Sequence, residues 1–398
     1  MPAHVISSSA EKLSKNQMNL PHDQPKNSTV IMTSDNLIRP LETKTCSQDI
    51  SNITGKHLVY SYENGWLCEI YVKNATTLDY RIHSGIVANR WVKDQEINVV
   101  QLPGKDLFKV SWAEPTGTAV SLCINLEARQ HHGVVFFPEW ISTNAAKTAR
   151  FQNDHLDEMR RLRDAGPIYP IYVVDEFAEM VQAEDVGMDD NQLISVSPSG
   201  FASTLKHLCE VNNLAHKLAH FGEKWGSRDT RALVGKHFVF AYQSGWQHEL
   251  YVRSESSIDY KIRSSPETAW HISKAQKAHV LRLTGPNRYI ISWSDLAGIS
   301  VSLTLDLDVQ QFHGVHFFPQ WILTGPKNLT ISTLKSSKHS NALSLPQQNG
   351  HSHGHSDVDQ VTSYRDAGPT YPLQLVSEFS VIFSVDECGV EDDSRIMN

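Results

Sequence analysis

Cysteine is scarce in this chain and irregularly placed: Cys46, Cys68, Cys123, Cys209 and Cys388 are five in 398 residues, with no C-x-x-C spacing. That odd, scattered set argues against a disulfide framework or a zinc ribbon, and a reducing, cytoplasmic setting is expected. Basic charge is not in excess either. With 36 basic against 44 acidic residues the formal net charge is −8, so no broad cationic face for nucleic acid is expected. No apolar run is long enough for a membrane span, and residues 1–50, rich in Ser, Asn, Lys and Pro, hold no secretory hydrophobic segment. Helical periodicity is almost as rare. It is confined to 154–163, where Asp154 is placed to cap and Leu156, Met159 and Leu162 share a face, and to 203–220, with Leu205, Leu208, Val211, Leu214 and Leu218 on one side.

The chain is rich in itself. Gly55-Lys56-His57, Gly65-Trp66 and Asp79-Tyr80 recur 180 residues later as Gly235-Lys236-His237, Gly245-Trp246 and Asp259-Tyr260. Ser111-Trp112 and His132-Gly133 recur 181 residues later as Ser292-Trp293 and His313-Gly314. A period this long is a duplicated domain rather than a solenoid, and each copy is large enough for its own core.

From Gly55 onward, short stretches of Val, Ile, Tyr, Phe and Trp alternate with turn residues roughly every ten positions, the all-β signal. Strands are expected near 57–62, 67–73, 77–83, 88–93, 97–102, 107–113, 119–126, 131–137 and 171–182. Consecutive antiparallel strands joined by tight turns favour an up-and-down barrel, because closure removes exposed edges and leaves an interior for one small ligand. The expected organisation is a disordered tail over 1–50, a first barrel over 51–185, and a linker with an amphipathic helix over 186–232. A second barrel over 233–385 carries a low-complexity insert at 325–362, and a tail runs over 386–398. His351, His353 and His355 lie in that insert without fixed Cys or acid partners, so a flexible loop is expected there and no metal site.

Tyr60 and Tyr62 stand two apart, so the strand period puts both phenols on one face, suited to a carboxylate or simply to a core. Arg90 lies beside Trp91 in an apolar pattern, where a guanidinium is costly unless paired. Glu114 precedes Pro115 at a strand end; at a barrel rim beside apolar walls its carboxyl would be a raised-pKa acid, and on an exposed turn it would be an ordinary surface group.

These residues sit in longer strings: Tyr60-Ser-Tyr62-Glu-Asn-Gly-Trp66, Asp79-Tyr80-Arg-Ile-His-Ser-Gly85, Arg90-Trp91-Val-Lys-Asp-Gln95, Ser111-Trp-Ala-Glu114-Pro-Thr-Gly-Thr118, His132-Gly-Val-Val-Phe-Phe-Pro-Glu-Trp140 and Gln152-Asn-Asp-His155. Together, over almost all of 53–183, they resemble the phenolic acid decarboxylases. The resemblance implies two lipocalin-like (calycin) antiparallel β-barrels in tandem, a dimerising tendency, and cofactor-free loss of CO₂ from 4-hydroxycinnamic acids such as p-coumaric, ferulic and caffeic acid. The implied partner is thus a small aromatic carboxylic acid, with no nucleic acid or membrane. By the same resemblance Tyr60 and Tyr62 would hold the substrate carboxylate, Arg90 would position charge, and Glu114 would transfer the proton. Trp66, Tyr80 and Glu176 would line the substrate. Cys68 departs from the pattern, since the family has a tyrosine at that position, in the loop lining the pocket entrance.

The second copy keeps Trp246, Glu249, Tyr251, Tyr260, Trp293, His313, Phe317, Phe318, Pro319 and Trp321. It loses most of the chemistry: Tyr60 becomes Phe240, Glu114 becomes Asp295, and Arg90 aligns with Trp270 or His271, while Tyr242 for Tyr62 and Glu378 for Glu176 keep their identity. A barrel that has lost activity or changed substrate is expected, with a role as pseudo-partner to the first or homodimerisation of the whole chain as the two assembly readings. A non-catalytic calycin-type binder of small aromatic acids, or a calycin-like enzyme of another substrate, remains the alternative reading of the whole.

Overall fold

The computed structural model describes residues 29–32, 38–41, 48–194, 226–265, 268–283, 287–324, 331–332 and 357–388. Strands β1 (Thr29–Met32) and β2 (Ile38–Leu41) pair antiparallel within a unit of their own, inside the stretch expected to be a disordered tail. Val30 and Ile31 favour an extended backbone that an average over fifty polar residues conceals. The expected helix at 203–220 and the His351–His355 run lie outside the described residues.

The first barrel comprises β3 (Lys56–Tyr62), β4 (Leu67–Tyr71), β5 (Thr77–Ile82), β6 (Trp91–Glu96), β7 (Asn98–Gln101), β8 (Leu107–Ala113), β9 (Ala119–Asn125), β10 (Gln130–Pro138) and β11 (Ile171–Asp185). Their order in the sheet is β6-β5-β4-β3-β11-β10-β9-β8-β7. Every neighbour is therefore consecutive in the chain except β3 and β11, the first and last strands, which pair with each other. The end strands β6 and β7 are joined covalently through Ile97, so an up-and-down meander closes on itself. The strand expected at 88–93 starts later, at Trp91, because Gly85 (φ 105°) and Asn89 (φ 68°) place a turn before it. Gly85 is also obligatory sterically, since a β carbon there would lie 2.5 Å from the Trp66 ring.

Helices α1 (Glu139–Asn144) and α2 (Leu156–Ala165) connect β10 to β11. Asp154 does not cap α2; it sits in a 3₁₀ turn over Gln152–His155, and His155 precedes the helix without a side-chain cap. Of the expected apolar face only Met159 is fully buried.

The second barrel repeats this plan with β13 (Lys236–Tyr242), β14 (Gln247–Ser254), β15 (Ser257–Ser265), β16 (Thr268–Lys277), β17 (His279–Leu283), β18 (Arg288–Ser294), β19 (Ser300–Asp306), β20 (Gln311–Phe318) and β22 (Gln374–Glu387). Two short strands extend its edges, β12 (Gly226–Ser227) on β17 and β21 (Ile331–Ser332) on β16. Helix α3 (Gln320–Thr324) matches α1, and α4 (Asp357–Ala367) matches α2. Helix α4 begins inside the stretch expected as insert, so 357–362 belongs to the repeated fold, its polar composition having hidden the helix.

The barrels pack on each other by reciprocal contacts. Arg163 stacks on Tyr371 at 4.4 Å, and Arg365 stacks on Tyr169 at 4.2 Å. Tyr371 lies over Gly117 (φ 85°), and Tyr169 lies over Gly298 (φ 83°), so closely that a β carbon at either glycine would collide with the phenol. Phe136 meets Phe317 at 5.9 Å in an apolar cluster that also includes Ala119, Val134 and Val315. Asp175 of β11 pairs with His132 of its own barrel at 3.7 Å, with His279 of the other, and with Arg228 at 3.4 Å.

One cation is trapped in this interface. Lys109 of β8 is 1% exposed, and its Nζ donates to Ser302 O at 2.7 Å and Thr304 Oγ1 at 3.2 Å across the boundary. Burial pushes its pKa down to about 7, against roughly 10.4 for an exposed lysine. Between those values the unfolded chain holds a proton that the folded chain has released, so raising the pH favours the folded state. Stability should rise on the order of 2 kcal/mol from pH 7 to 9, at ~1.4 kcal/mol per pH unit. Lys109→Met should flatten that rise in thermal melts; parallel curves for the two proteins would refute it.

Candidate active site

The site inside the first barrel is built from positions on β3, β4, β5, β8, β10 and β11 and from the turn before β6. Tyr60 and Tyr62 of β3 share a face as expected, with ring centroids 5.3 Å apart and edge to face. Burial pushes both phenol pKa values well up, so both stay protonated as hydrogen-bond donors. Gly133, inward on β10, makes room for Tyr62: a β carbon there would lie 2.5 Å from its hydroxyl.

Glu114 follows β8 and is nearly inaccessible, its side chain 2% exposed. It does not sit beside apolar walls at a rim. Arg90 Nη1 donates to Oε2 at 2.7 Å, Thr116 Oγ1 donates to the same oxygen at 2.8 Å, and Tyr80 OH donates to Oε1 at 2.7 Å. The expectation of an acid made by apolar surroundings is thus corrected: the strand end and Pro115 turn the carboxyl inward onto a guanidinium and two hydroxyls. Arg90 is held from its other side by Thr148 Oγ1, which accepts from Nη2 at 2.7 Å. Tyr80 packs its ring on Trp112 at 5.9 Å, and its hydroxyl is committed to Glu114.

Trp66 packs over the Gly85 turn between two apolar clusters. Glu176 of β11 is on the Tyr62 side, in register with Gly133, with Arg228 Nη2 4.0 Å from its carboxylate. Burial raises its pKa, against the pull of Arg228. No described contact joins Glu176 to the Arg90–Glu114 pair. Cys68 lies inside the barrel on β4, opposite Tyr60 in register and 6% exposed, which corrects its expected place on an entrance loop. Burial, with Glu69 next to it, pushes the thiol pKa far up, so a thiolate nucleophile is disfavoured.

Three contributors escaped the reading of the sequence. Thr116 and Thr148 hold Glu114 and Arg90 and carry no signal beyond their neighbours. His131 had one: it shares the inward face of β10 with Gly133. Its ring is edge-on to Tyr60 at 4.1 Å and to Tyr62 at 5.3 Å, and neither ring nitrogen has a hydrogen-bond partner among the described residues. Burial pushes its pKa down to about 3, so the imidazole is neutral.

A buried carboxylate, a guanidinium and two phenol donors inside a closed meander meet the pattern of one family. The sequence profile of that family, described as phenolic acid decarboxylase (PAD), matches residues 50–207, 230–340 and 347–398. The chain belongs to the phenolic acid decarboxylase family. It is similar to a probable phenolic acid decarboxylase of Vibrio cholerae, 51% identical over 166 residues that make up 42% of this chain and 95% of that protein. It is also similar to phenolic acid decarboxylase PadC of Bacillus subtilis, 49% identical over 149 residues, 37% of this chain and 92% of that one. Each relative has the length of one copy, so a tandem duplication of a family-sized barrel accounts for this chain, a carboxy-lyase of that family.

The second family barrel keeps Tyr242, Trp246, Tyr260 and Glu378 at the positions of Tyr62, Trp66, Tyr80 and Glu176, and alters the rest. Tyr260 OH donates to Asp295 Oδ2 at 2.7 Å, as Tyr80 does to Glu114. The shorter Asp295, however, turns its other oxygen to its own hairpin, accepting from Ile299 N at 2.9 Å. Strand register resolves the ambiguity at Arg90. Tyr80 pairs with Val92 and Tyr260 with Ser273, so the backbone counterpart of Arg90 is His271. Phe240 and Phe312 replace Tyr60 and His131, and stack at 4.3 Å.

Proposed function

We propose that the first barrel decarboxylates 4-hydroxycinnamic acids such as p-coumaric, ferulic and caffeic acid to 4-vinylphenols without a cofactor, in the cytosol. The observation that carries this reading is the buried Arg90–Glu114 pair with Tyr80 and Thr116 on the same carboxylate. The two protonated phenols, Tyr60 and Tyr62, donate to the substrate carboxylate. Bringing that second negative charge beside Glu114 is unfavourable unless a proton is taken up from solvent, and Glu114 is the acceptor at hand. Glu114 then delivers the proton to the alkene carbon next to the substrate carboxylate while the para oxygen loses its own and pushes electrons into the ring, giving a quinone methide. The C–C bond to the carboxylate breaks, its electron pair restores the alkene and ring, CO₂ leaves, and the para oxygen regains a proton. One proton is consumed per turnover. Arg90 stabilises the Glu114 carboxylate between proton deliveries.

Barrel two, by this proposal, does not catalyse the reaction; it occupies the place of a partner subunit. The test follows CO₂ release and vinylphenol formation from p-coumarate, ferulate and caffeate. Turnover by the full chain is expected, and Asp295→Asn should leave kcat within twofold. No turnover of any of the three by the unmodified protein would sink the decarboxylase reading, and a tenfold loss in Asp295→Asn would sink the assignment to barrel one.

A further inference from the structure

The second barrel holds a cavity of about 240 Å³ lined by Tyr242, Trp246, His248, His316, Phe318 and Glu378, among others. Roughly 150 Å³ is enough for benzene in an apolar protein interior, so a substituted single ring fits. The two imidazoles here are not inherited from the first barrel, whereas Tyr242 and Glu378 stand for Tyr62 and Glu176. His248 stands where the first copy has Cys68, and His316 where it has Val135, while the deeper Tyr60 and His131 have become Phe240 and Phe312. The second copy thus has imidazoles at two positions that carry none in the first, both around the retained Tyr242. The Tyr242 ring is 4.8 Å from His248 and 5.4 Å from His316, all edge to face.

Two of these groups are buried and point to a ligand. The Tyr242 hydroxyl and His316 Nε2 have no hydrogen-bond partner among the described residues, at 5% and 4% residue exposure. Leaving such atoms unpaired is unfavourable, and a ligand hydroxyl would relieve it. Charge narrows the class. Burial pushes His316 down to about 3, so it is a neutral acceptor or donor and not a cation. No Lys or Arg is among the described lining residues, and Glu378, which accepts from Ser244 Oγ at 2.6 Å, is the one acid among them. A carboxylate ligand would find no counter-charge and one repelling carboxyl group.

We propose that the cavity of the second barrel is a binding site for neutral single-ring phenols, whose hydroxyl bridges Tyr242 OH and His316 Nε2 while the ring packs on Phe318 and Trp246. The site stands on these residues and does not require the first barrel to be a decarboxylase.

The probe is 4-ethylphenol, titrated calorimetrically into the full chain beside the ionised analogue 3-(4-hydroxyphenyl)propanoate. A binding event is expected that weakens at least tenfold in Tyr242→Phe and in His316→Phe, and that the ionised analogue enters at least tenfold less tightly. Turnover of p-coumarate by the same samples should stay within twofold, which shows that the variants fold. Binding with no turnover would sink the decarboxylase reading and leave this one standing. An event unchanged by both substitutions, or equal binding of the ionised analogue to it, would overturn the proposal. So would a crystal of the unmodified chain at saturating 4-ethylphenol with no ring against Tyr242 and His316, however the variants behave.

Discussion

Replacing Glu114 by Gln should lower kcat for p-coumarate by ~10²–10⁴-fold, the usual worth of a positioned proton donor. Gln has nearly the same shape, and its one amide oxygen can still accept from Arg90 and Thr116, while its amide N–H donates on the side where the carboxylate accepted from Tyr80. What it cannot do is carry the proton. The loss should therefore fall on kcat, with KM changing much less because the phenols of Tyr60 and Tyr62 are left in place. Stability will also fall, since Arg90, 1% exposed, would keep its charge without its anionic partner; breaking a buried pair from one side costs about 3–5 kcal/mol. Circular dichroism at low temperature separates the two effects. Glu114→Asp should be nearly as damaging, because the second barrel shows where the shorter acid goes: Asp295 accepts from its own turn at Ile299 N. A folded Glu114→Gln protein with turnover within threefold of the parent would refute the role given to Glu114.

The barrel itself was legible in the sequence because a closed meander is written locally: each strand pairs with the next, and turn residues mark every corner. The repeat made the same plan visible twice. The site was only half legible. Tyr60 and Tyr62 share a face through strand period alone, whereas the Arg90–Glu114 pair joins residues 24 apart across a closure that no periodicity reports. The environment of Glu114 was misread for the same reason. Pro115 announced the end of the strand, but whether a carboxyl at that point faces solvent, apolar walls or a guanidinium depends on a turn from elsewhere in the chain. Cys68 was misplaced because a family pattern assigned it to a loop, while the pairing of β3 with β4 puts it opposite Tyr60. His131 was passed over in favour of its neighbour His132, although counting by twos from Gly133 separates them. One faces Tyr60 and the other faces Asp175 at the interface. That interface had no sequence signal of its own, because its residues became partners only once two barrels existed to press together.

The interface also reaches the turn that carries Glu114, and Tyr371→Ala is expected to show it. Tyr371 belongs to the barrel that does no chemistry in this scheme, yet its phenol lies on Gly117, three residues from Glu114. The same turn is fixed by Arg163, which stacks on Tyr371 and donates from Nη1 to Pro115 O at 3.3 Å, and by Trp140 Nε1, which donates to Thr116 O at 3.0 Å. Thr116 in turn donates to Glu114. Removing the ring takes away the surface on which Arg163 and Gly117 rest, so the turn gains freedom and the carboxyl loses its fixed position. Truncating a packed aromatic costs about 3–5 kcal/mol, and a misplacement of about 1 Å at a reacting group can cost 10²-fold in rate. We therefore expect kcat for p-coumarate to fall by tenfold or more with KM altered less than threefold, and Tyr371→Phe, which keeps the ring, to restore most of it. The reciprocal change Tyr169→Ala would loosen Gly298 beside Asp295, and should lower stability by a similar amount while leaving kcat within threefold. Equal losses of rate from both would mean that the ring contacts hold the two barrels together and nothing more; loss from Tyr371→Ala alone would mean that the silent barrel holds the working one in its active geometry.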